Sequence, residues 1–244
     1  MNTIQISCLG KLGRFGNQLH QYAFAKAYAR AHDAILETPE WIGQQLFQLS
    51  DPPISRQLPQ NKEMDKIKWG KTNIDLLGHF QFQKAIDLYS KADVQCWFNF
   101  KPEIQGKYRK HSEKAVAHLR RTDYLKFKNV YCIVSEQSYV DAFLKLGIDP
   151  DQAVWVSDEN QKSTDPLKFL EDFFTMMDAD ILLRSNSTFS WWAGALGTCD
   201  VYSPLVNDKV GDQTVNFVKG NWPKIADPRN NQTYKTIVTD LHLK

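Results

Sequence analysis

The sequence has no long hydrophobic run. None of its stretches reaches 18 consecutive apolar residues, so we expect no membrane-spanning helix. The amino terminus, MNTIQISCLGKLGR, lacks the basic head and apolar run of a signal peptide and alternates like a first strand. These absences favour a cytoplasmic protein, or the soluble part of something larger.

Cysteine, glycine and proline are also scarce. The cysteines lie far apart, which gives no zinc or redox spacing and favours reduced thiols: Cys8, Cys96, Cys132 and Cys199. With 12 glycines and 10 prolines in 244 residues, the chain is neither collagen-like nor of low complexity. Its 42% hydrophobic residues exclude wholesale disorder. A net charge of +2 disfavours nucleic-acid binding through overall charge.

Residue periodicity predicts an α/β protein with two domains. Residues 3–9 alternate like a strand, a glycine loop follows, and a helix is predicted over 17–32 with Asn17 as its N-cap. The second half alternates strands and helices, which is typical of a parallel sheet covered on both faces. Strands are predicted at 115–119, 131–134, 153–156, 181–183 and 201–203, and helices at 136–146, 165–177 and 187–196. A polar segment at 101–114 indicates a boundary, which gives domains 1–110 and 111–244.

Three segments follow predicted strands, which is where parallel sheets bind ligands. The first is GKLGRFGNQ, residues 10–18. Its glycines permit a sharp turn, and Arg14 with the helix N-terminus behind it favours an anion. The spacing matches neither a Walker loop nor the dinucleotide motif. The alternative is a tight turn that carries a surface arginine.

The second segment is AHLRRTDY, residues 117–124, in which a strand ending in a histidine precedes two arginines. Guanidinium groups match phosphate oxygens, so Arg120 and Arg121 suit a diphosphate leaving group. Asp123 could orient an arginine or accept a proton; alternatively, it neutralises Arg121 in a solvated turn. The stretch 107–128 holds eight basic and two acidic residues, so a local nucleic-acid patch is a further alternative.

The third segment is SNSTFSWWAGAL, residues 185–196. Ser187 and Thr188 can cap the following helix and leave backbone N–H groups for a phosphate, or they can serve as ordinary caps. Trp191 and Trp192 are predicted to be core aromatics. Two Asp-x-Asp strings, at 149–151 and 178–180, are explained as loop or cap carboxylates, so we expect no metal.

Five strings in order carry a family resemblance. GRFGNQLHQYAFAKA, GHFQ, HLRRTDY, VSDE and SNSTFSWWAGAL resemble the alpha-1,2-fucosyltransferases of glycosyltransferase family 11, and also the protein O-fucosyltransferases and alpha-1,6-fucosyltransferases. The resemblance implies a GT-B architecture, in which two Rossmann-like domains face a cleft. The domain 1–110 would lie on the acceptor side and 111–244 would bind the nucleotide sugar. The implied reaction is inverting transfer of fucose from GDP-fucose to a glycan, without metal or cofactor.

The resemblance also implies roles for individual residues. Arg120 matches the arginine that holds the donor phosphates, His118 a histidine near the nucleotide, and Asp172 an acid that pairs with guanine. The turn whose backbone contacts phosphate corresponds to Ser187, Thr188 and Phe189. The loop that faces the donor sugar corresponds to Arg14, Gly16 and Asn17. The set of substrate-binding residues is completed by Arg121 and Asp158.

Direct displacement needs positive groups for the departing GDP and a base for the acceptor hydroxyl. Arg120 and the helix end at Thr188 are expected to supply the first. Asp123 is the expected base, and Asn17 is expected to orient the hydroxyl. Thr122 stands where family members usually have glycine, although the alpha-1,6 group also has threonine.

Other functions fit the same sequence. One is a related transferase that uses a different nucleotide sugar, and another is a non-catalytic glycan- or nucleic-acid-binding module built on residues 107–128. We expect GDP-fucose and a glycan acceptor as partners and no nucleic acid. The acceptor, the linkage and the oligomeric state are left open.

Overall fold

The computed structural model of the protein describes residues 2–62, 70–110, 115–129, 131–158, 163–207 and 210–220. The helices are α1 (Phe15–Ala31), α2 (Ile42–Leu46), α3 (Gln83–Ile86), α4 (Lys91–Trp97), α5 (Pro102–Tyr108), α6 (Thr122–Lys126), α7 (Glu136–Lys145), α8 (Phe169–Met177) and α9 (Thr188–Leu196). The strands are β1 (Asn2–Gln5), β2 (Ala34–Glu37), β3 (Gln60–Lys62), β4 (Ile74–Leu77), β5 (Ala115–Leu119), β6 (Cys132–Val134), β7 (Val154–Ser157), β8 (Ile181–Leu183), β9 (Asp200–Pro204), β10 (Gly211–Gln213) and β11 (Phe217–Gly220). Residues 111–114 of the predicted boundary segment and Glu159 of the VSDE string lie outside the described residues.

The chain forms two compact units, Met1–Lys101 and Pro102–Lys244, called unit 1 and unit 2 below. In unit 1 a four-stranded sheet has the order β2-β1-β4-β3, with every strand parallel to its neighbours. Its core includes a stacked pair of buried rings, Phe24 and Phe80, with centroids 4.3 Å apart. The assignment of acceptor and donor to the two halves of the chain stays a prediction.

Helix α1 begins earlier than the sequence predicts, and the prediction of Asn17 as its N-cap is wrong. Arg14 holds the N-cap position, and its carbonyl accepts hydrogen bonds from the backbone N–H groups of Asn17 (2.9 Å) and Gln18 (3.1 Å). The chain turns at Gly13, whose φ of +79° is left-handed, so helical bonding starts directly afterwards. Asn17 therefore lies within the first turn of the helix.

Unit 2 contains a five-stranded sheet of order β11-β9-β8-β5-β7. The strands from β9 to β7 are mutually parallel, and β11 runs antiparallel to β9 at the edge. The chain passes from β5 to β7 on one side and returns through α8 to β8 on the other side of β5. The carboxyl ends of β5 and β8 therefore lie at a switch point, where sheets of this kind bind ligands.

Most elements predicted for the second half are confirmed. Strands β5 and β8 have the predicted bounds. Ser135 caps α7 by accepting a hydrogen bond from the backbone N–H of Ser138, and Gly147 follows the helix with φ +72°. Helix α8 begins at Phe169, later than predicted, because the chain at Asp165 first forms a turn in which the carboxylate accepts from the backbone N–H of Leu167.

Helix α9 is the buried helix of unit 2. Trp191 and Trp192 are fully buried, with ring centroids 4.8 Å apart at 75°, so the prediction that they are core aromatics is confirmed. The helix ends at Gly197, where a Cβ atom would lie 2.2 Å from the carbonyl oxygen of Met177. This close approach brings the ends of α8 and α9 together and requires glycine.

Candidate functional site

The ends of β5 and β7 meet in an ion-pair cluster, which we call the Arg120 cluster: Arg120, Asp123 and Asp158. Nη1 of Arg120 pairs with Oδ2 of Asp158, and Nη2 lies 2.5 Å from Oδ1 of Asp123. The Arg120 side chain is 11% exposed. A guanidinium held from both sides in this way has a fixed orientation.

Asp158 joins the turn after β5 to the end of β7. Its Oδ1 accepts from the backbone N–H groups of Arg121 (2.9 Å) and Thr122 (3.2 Å), and its Oδ2 accepts from the Thr122 hydroxyl at 2.6 Å. Burial by itself would raise the pKa of the Asp158 carboxyl, but these hydrogen bonds and the charge of Arg120 hold it below its usual range. Asp158 is therefore an ionised carboxylate that fixes the turn after β5 through hydrogen bonds and an ion pair.

Arg121 has different partners from Arg120. Its Nη1 donates to the carbonyl of Val134 at 2.9 Å, and its Nη2 lies 3.4 Å from Oε1 of Glu136. These contacts attach the β5–α6 turn to β6 and α7. The two guanidinium groups thus have different protein partners, and a phosphate contact for Arg121 stays a prediction.

His118 is buried beneath the carboxyl end of β5. Its Nδ1 lies 2.8 Å from the Ser185 hydroxyl, and its ring lies 5.8 Å from that of Phe189. Burial lowers the pKa of His118 to about 4, with Asp158 opposing that shift and Arg184 adding to it. His118 is accordingly a neutral group that joins β5 to the turn after β8.

Tyr124 links the Arg120 cluster to the turn after β8. The guanidinium carbon of Arg120 lies 5.4 Å from the centre of the Tyr124 ring, which is a cation–π distance. The Tyr124 hydroxyl donates to the carbonyl of Asn186 at 3.2 Å, and its ring stacks on Tyr131 at 4.4 Å. Arg120 and the chain that enters α9 therefore lie at the same edge of the sheet.

The turn into α9 has the predicted cap. Ser187 is the N-cap, and its hydroxyl accepts from the backbone N–H of Phe189 at 3.2 Å. The Phe189 ring packs against Phe173 at 5.3 Å and Phe169 at 6.0 Å, which places the start of α8 beside this turn. Asp172 lies in that first turn of α8 and is half-buried. Its pairing with guanine stays a prediction.

In unit 1, the predicted loop residues lie at the carboxyl ends of β1 and β4. Arg14 is exposed, Gly16 is buried inside α1, and Nδ2 of Asn17 lies 3.4 Å from Nδ1 of His79. The residue after His79 is Phe80, whose φ of +54° is strained for a bulky side chain and is held by the stacking on Phe24. Asn17 and His79 are thus neighbours that the sequence places 62 residues apart.

Three neighbours of these residues were not found by sequence reasoning: Tyr124, His79 and Arg184. Arg184 directly follows β8 and is fully buried, with Nε donating to the Ser203 hydroxyl at 2.7 Å and Nη1 to the carbonyl of Ser185 at 2.9 Å. Tyr124 lies in the string HLRRTDY and His79 lies in GHFQ, so the family resemblance could have indicated these two residues.

The basic stretch 107–128 is extensively paired with acids. Lys107 pairs with Asp165 (2.9 Å) and Arg109 with Asp178 (2.6 Å). Lys110 pairs with Glu171 at 3.0 Å. A phosphate backbone would have to displace these carboxylates, which weakens the nucleic-acid alternative.

The two Asp-x-Asp strings have the structural roles that the sequence predicts. Asp149 accepts a hydrogen bond from the backbone N–H of Asp151 at the start of a short 3-10 turn, and Asp178 binds Arg109. Among the described residues, no three His, Cys, Asp or Glu side chains form a group that could hold a metal ion. In the same part of the chain, no helix is both long and apolar enough to cross a membrane.

No family model and no curated protein matches this sequence. The structure is similar to that of a NodZ alpha-1,6-fucosyltransferase soaked with GDP-fucose, with a TM-score of 0.56 and 11% identity over 90% of this chain and 99% of that one. A second match is FUT1 of Arabidopsis thaliana, in a mutant form with GDP, with a TM-score of 0.46 and 13% identity over 88% and 73% of the two chains. The first likeness confirms the predicted α/β fold class, with parallel sheets of the GT-B type.

Proposed function

We propose that the protein is an inverting fucosyltransferase that uses GDP-fucose as its donor and a glycan hydroxyl as its acceptor. The observation that carries the proposal is the position of Arg120, which Tyr124 links to the capped turn at the start of α9. A guanidinium and a helix N-terminus at one sheet edge form a site for a diphosphate. The five ordered strings and the similarity of fold to a fucosyltransferase support the choice of GDP-fucose.

In this proposal the acceptor oxygen attacks the anomeric carbon of fucose while the bond to the β-phosphate oxygen breaks. The electron pair leaves with GDP, and negative charge grows on the phosphate, where Arg120 and the α9 N-terminus stabilise it. Asp123 takes the proton of the hydroxyl and later returns it to water. Asn17, with Arg14 and Gly16, orients the sugar and the hydroxyl.

Other predicted residues hold the nucleotide in this proposal. His118, neutral at physiological pH, supports the turn through Ser185, and Asp172 contributes a carboxylate for the guanine edge. Ser187, Thr188 and Phe189 supply the turn itself. For the acceptor we propose a galactoside with an alpha-1,2 linkage, which rests on the resemblance of the strings.

Turnover of GDP-fucose to GDP, measured with simple galactosides and with and without EDTA, tests this function. We expect GDP release that depends on the acceptor and persists in EDTA. A strict need for added metal, or GDP-mannose as the better donor, would contradict the proposal. Thermal-shift measurements with GDP, UDP, ADP and CMP provide a binding test, in which we expect stabilisation by GDP alone.

A further inference from the structure

Two glutamines of α1 hold the loop at residues 10–13, which we call the glycine loop. Nε2 of Gln21 donates to the carbonyl oxygen of Leu12 at 3.0 Å, and Nε2 of Gln18 donates to that of Gly13 at 3.3 Å. Gln21 is fully buried and Gln18 is 8% exposed. The last two residues of the glycine loop are therefore tied to the helix by buried amides.

The fold itself has little need of these two amides. Lys11 and Gly13 are exposed and Leu12 is half-buried, so the carbonyl groups that the glutamines bind could bond to water instead. Oε1 of each glutamine is buried and has no hydrogen-bond partner among the described residues. A buried polar atom without a partner is a cost that an apolar side chain would avoid. The two amides are thus better explained by the position of the loop than by stability.

The residue that the glycine loop packs against is Asn17. An added Cβ on Gly13 would lie 2.7 Å from Cβ of Asn17 and 2.8 Å from its Nδ2, so the Gly13 backbone lies directly against this side chain. Asn17 and Gln21 are four residues apart in α1 and share one face of the helix. A shift of the loop would therefore open the space that confines the Asn17 amide.

We propose that Gln21 is a positioning residue, which fixes the glycine loop over Asn17 and thereby favours transfer to a glycan over hydrolysis of the donor. Gln18 supports it in the same role. The inference rests on the proposed function, because it takes Asn17 to orient the acceptor hydroxyl.

Hydrolysis is the side reaction against which the orientation acts. A water oxygen forms the bond to the anomeric carbon, the bond to the β-phosphate oxygen breaks with its electron pair leaving on GDP, and a water proton passes to solvent, which gives fucose. A glycan hydroxyl reacts only when it is held in line, whereas water reaches the carbon in many orientations. Loss of orientation therefore slows transfer more than hydrolysis.

Gln21→Met tests the inference in the full chain. Methionine has a similar length and shape but neither the N–H donor nor the unpartnered oxygen, so the melting temperature should change by less than about 4 °C. The ratio of transfer to hydrolysis should fall about 10- to 100-fold. Chromatography of fucose and fucosylated product, from GDP-fucose with and without a simple galactoside, measures this ratio. GDP affinity by calorimetry should stay within about 2-fold of the wild-type value.

Two further variants control for the replacement itself. Gln18→Met should lower the ratio less than Gln21→Met, since its hydrogen bond is longer, and it takes over the test if Gln21→Met does not fold. Gln137→Met makes the same change on α7, where the exposed side chain donates to Asp141 at 2.8 Å, and should leave the ratio unchanged. Where hydrolysis is too slow to measure, the transfer rate per GDP-binding site replaces the ratio.

The outcomes separate the inference from the function. If the wild-type protein transfers fucose and Gln21→Met keeps the ratio within about 2-fold, the inference alone is overturned. A parallel loss of transfer, hydrolysis and GDP-binding sites would overturn it too, as would failure of both α1 variants to fold, because the amides would then serve the fold. If the wild-type protein neither transfers fucose nor hydrolyses GDP-fucose, the proposed function fails and the inference fails with it.

Discussion

Arg120 and Arg121 are consecutive residues whose guanidinium groups bind different parts of unit 2. Arg120 lies between the carboxylates of Asp123 and Asp158, and Arg121 donates to the carbonyl of Val134. The first is oriented by charges at the sheet edge, and the second fastens the turn to β6. Replacement of Arg120 should therefore affect the transfer rate, whereas replacement of Arg121 should affect the stability of the protein.

We expect Arg120→Ala to lower the rate of fucose transfer about 100- to 1000-fold, because it removes the proposed donor to the leaving phosphate. The melting profile should stay cooperative. Release of GDP, followed by chromatography, measures the rate. Lys126→Ala, which removes an exposed positive charge from helix α6 directly after the Arg120 turn, should keep nearly full activity. Substantial transfer by Arg120→Ala would refute the site assignment.

Arg121→Lys should lower stability and leave GDP affinity within about 3-fold of the wild-type value, since a lysine cannot supply the two-sided contact to Val134 and Glu136. Denaturant unfolding and calorimetry measure the two quantities. A large loss of GDP affinity without loss of stability would instead support the phosphate role that the sequence predicts for Arg121.

The free energy of unfolding should decrease in acid because the buried His118 resists protonation. Its native pKa of about 4 lies below the ordinary value of 6.5, so between these limits the unfolded chain binds a proton that the native protein does not. Stability is therefore complete above pH 6.5 and is lost as the pH falls towards 4, by roughly 3 kcal/mol. Denaturant titrations at several pH values measure this slope.

His118→Asn is the matched variant for that slope. Its side chain can still reach the Ser185 hydroxyl and does not titrate, so its stability should change less over the same interval. Asp158 and Arg184 are the charges that act on His118, and both remain in the variant. Identical slopes for the two proteins would show that other groups cause the acid sensitivity.

Gly13→Ala should reduce transfer and leave GDP binding intact. The added Cβ would lie 2.7 Å from Cβ of Asn17, so the proposed hydroxyl-orienting side chain must move. The left-handed backbone adds a cost of about 1–2 kcal/mol. Gly147→Ala has the same backbone penalty with nothing within 4 Å of the new atom, and it should lose stability without loss of transfer. Equal activity of the two variants would exclude a role for the Asn17 position.

Gly197→Ala should destabilise unit 2 by about 1–3 kcal/mol, since the new Cβ would overlap the Met177 carbonyl 2.2 Å away. Gly106→Ala is the control, because open space surrounds that position within α5. There alanine should raise stability by up to about 1 kcal/mol through its higher helix propensity. Thermal melts of the two variants should shift in opposite directions.

The sequence predicts those elements whose ends carry local chemical signals. Strands β5 and β8 are bounded by polar residues, and α7 and α9 begin at the serines that cap them. The start of α1 was missed because its N-cap, Arg14, makes no side-chain cap, while Asn17 has the residue type of one. Capping preferences depend only on residue type, whereas the residue at which α1 begins is determined by the position of the turn at Gly13.

The candidate site is less accessible to sequence reasoning than the fold. Arg120 and Asp158 could each be proposed from their place after a strand, but their pairing joins residues 38 apart through the register of β5 and β7. The separation of Arg120 from Arg121 likewise depends on where β6 lies. Backbone topology, which local patterns do not encode, determines which charged groups meet.

Helix α5 has a practical consequence for work on the second half of the chain. It packs on α8. Lys107 and Tyr108 both bind the carboxylate of Asp165 in the turn before α8, and Arg109, the residue after α5, binds Asp178 at the C-cap of α8. A fragment that begins at residue 111, the domain limit that composition suggests, would lack α5, Lys107 and Arg109. The side of α8 on which α5 packs would then be exposed to solvent. Expression of unit 2 on its own should therefore retain the chain from Pro102 onwards.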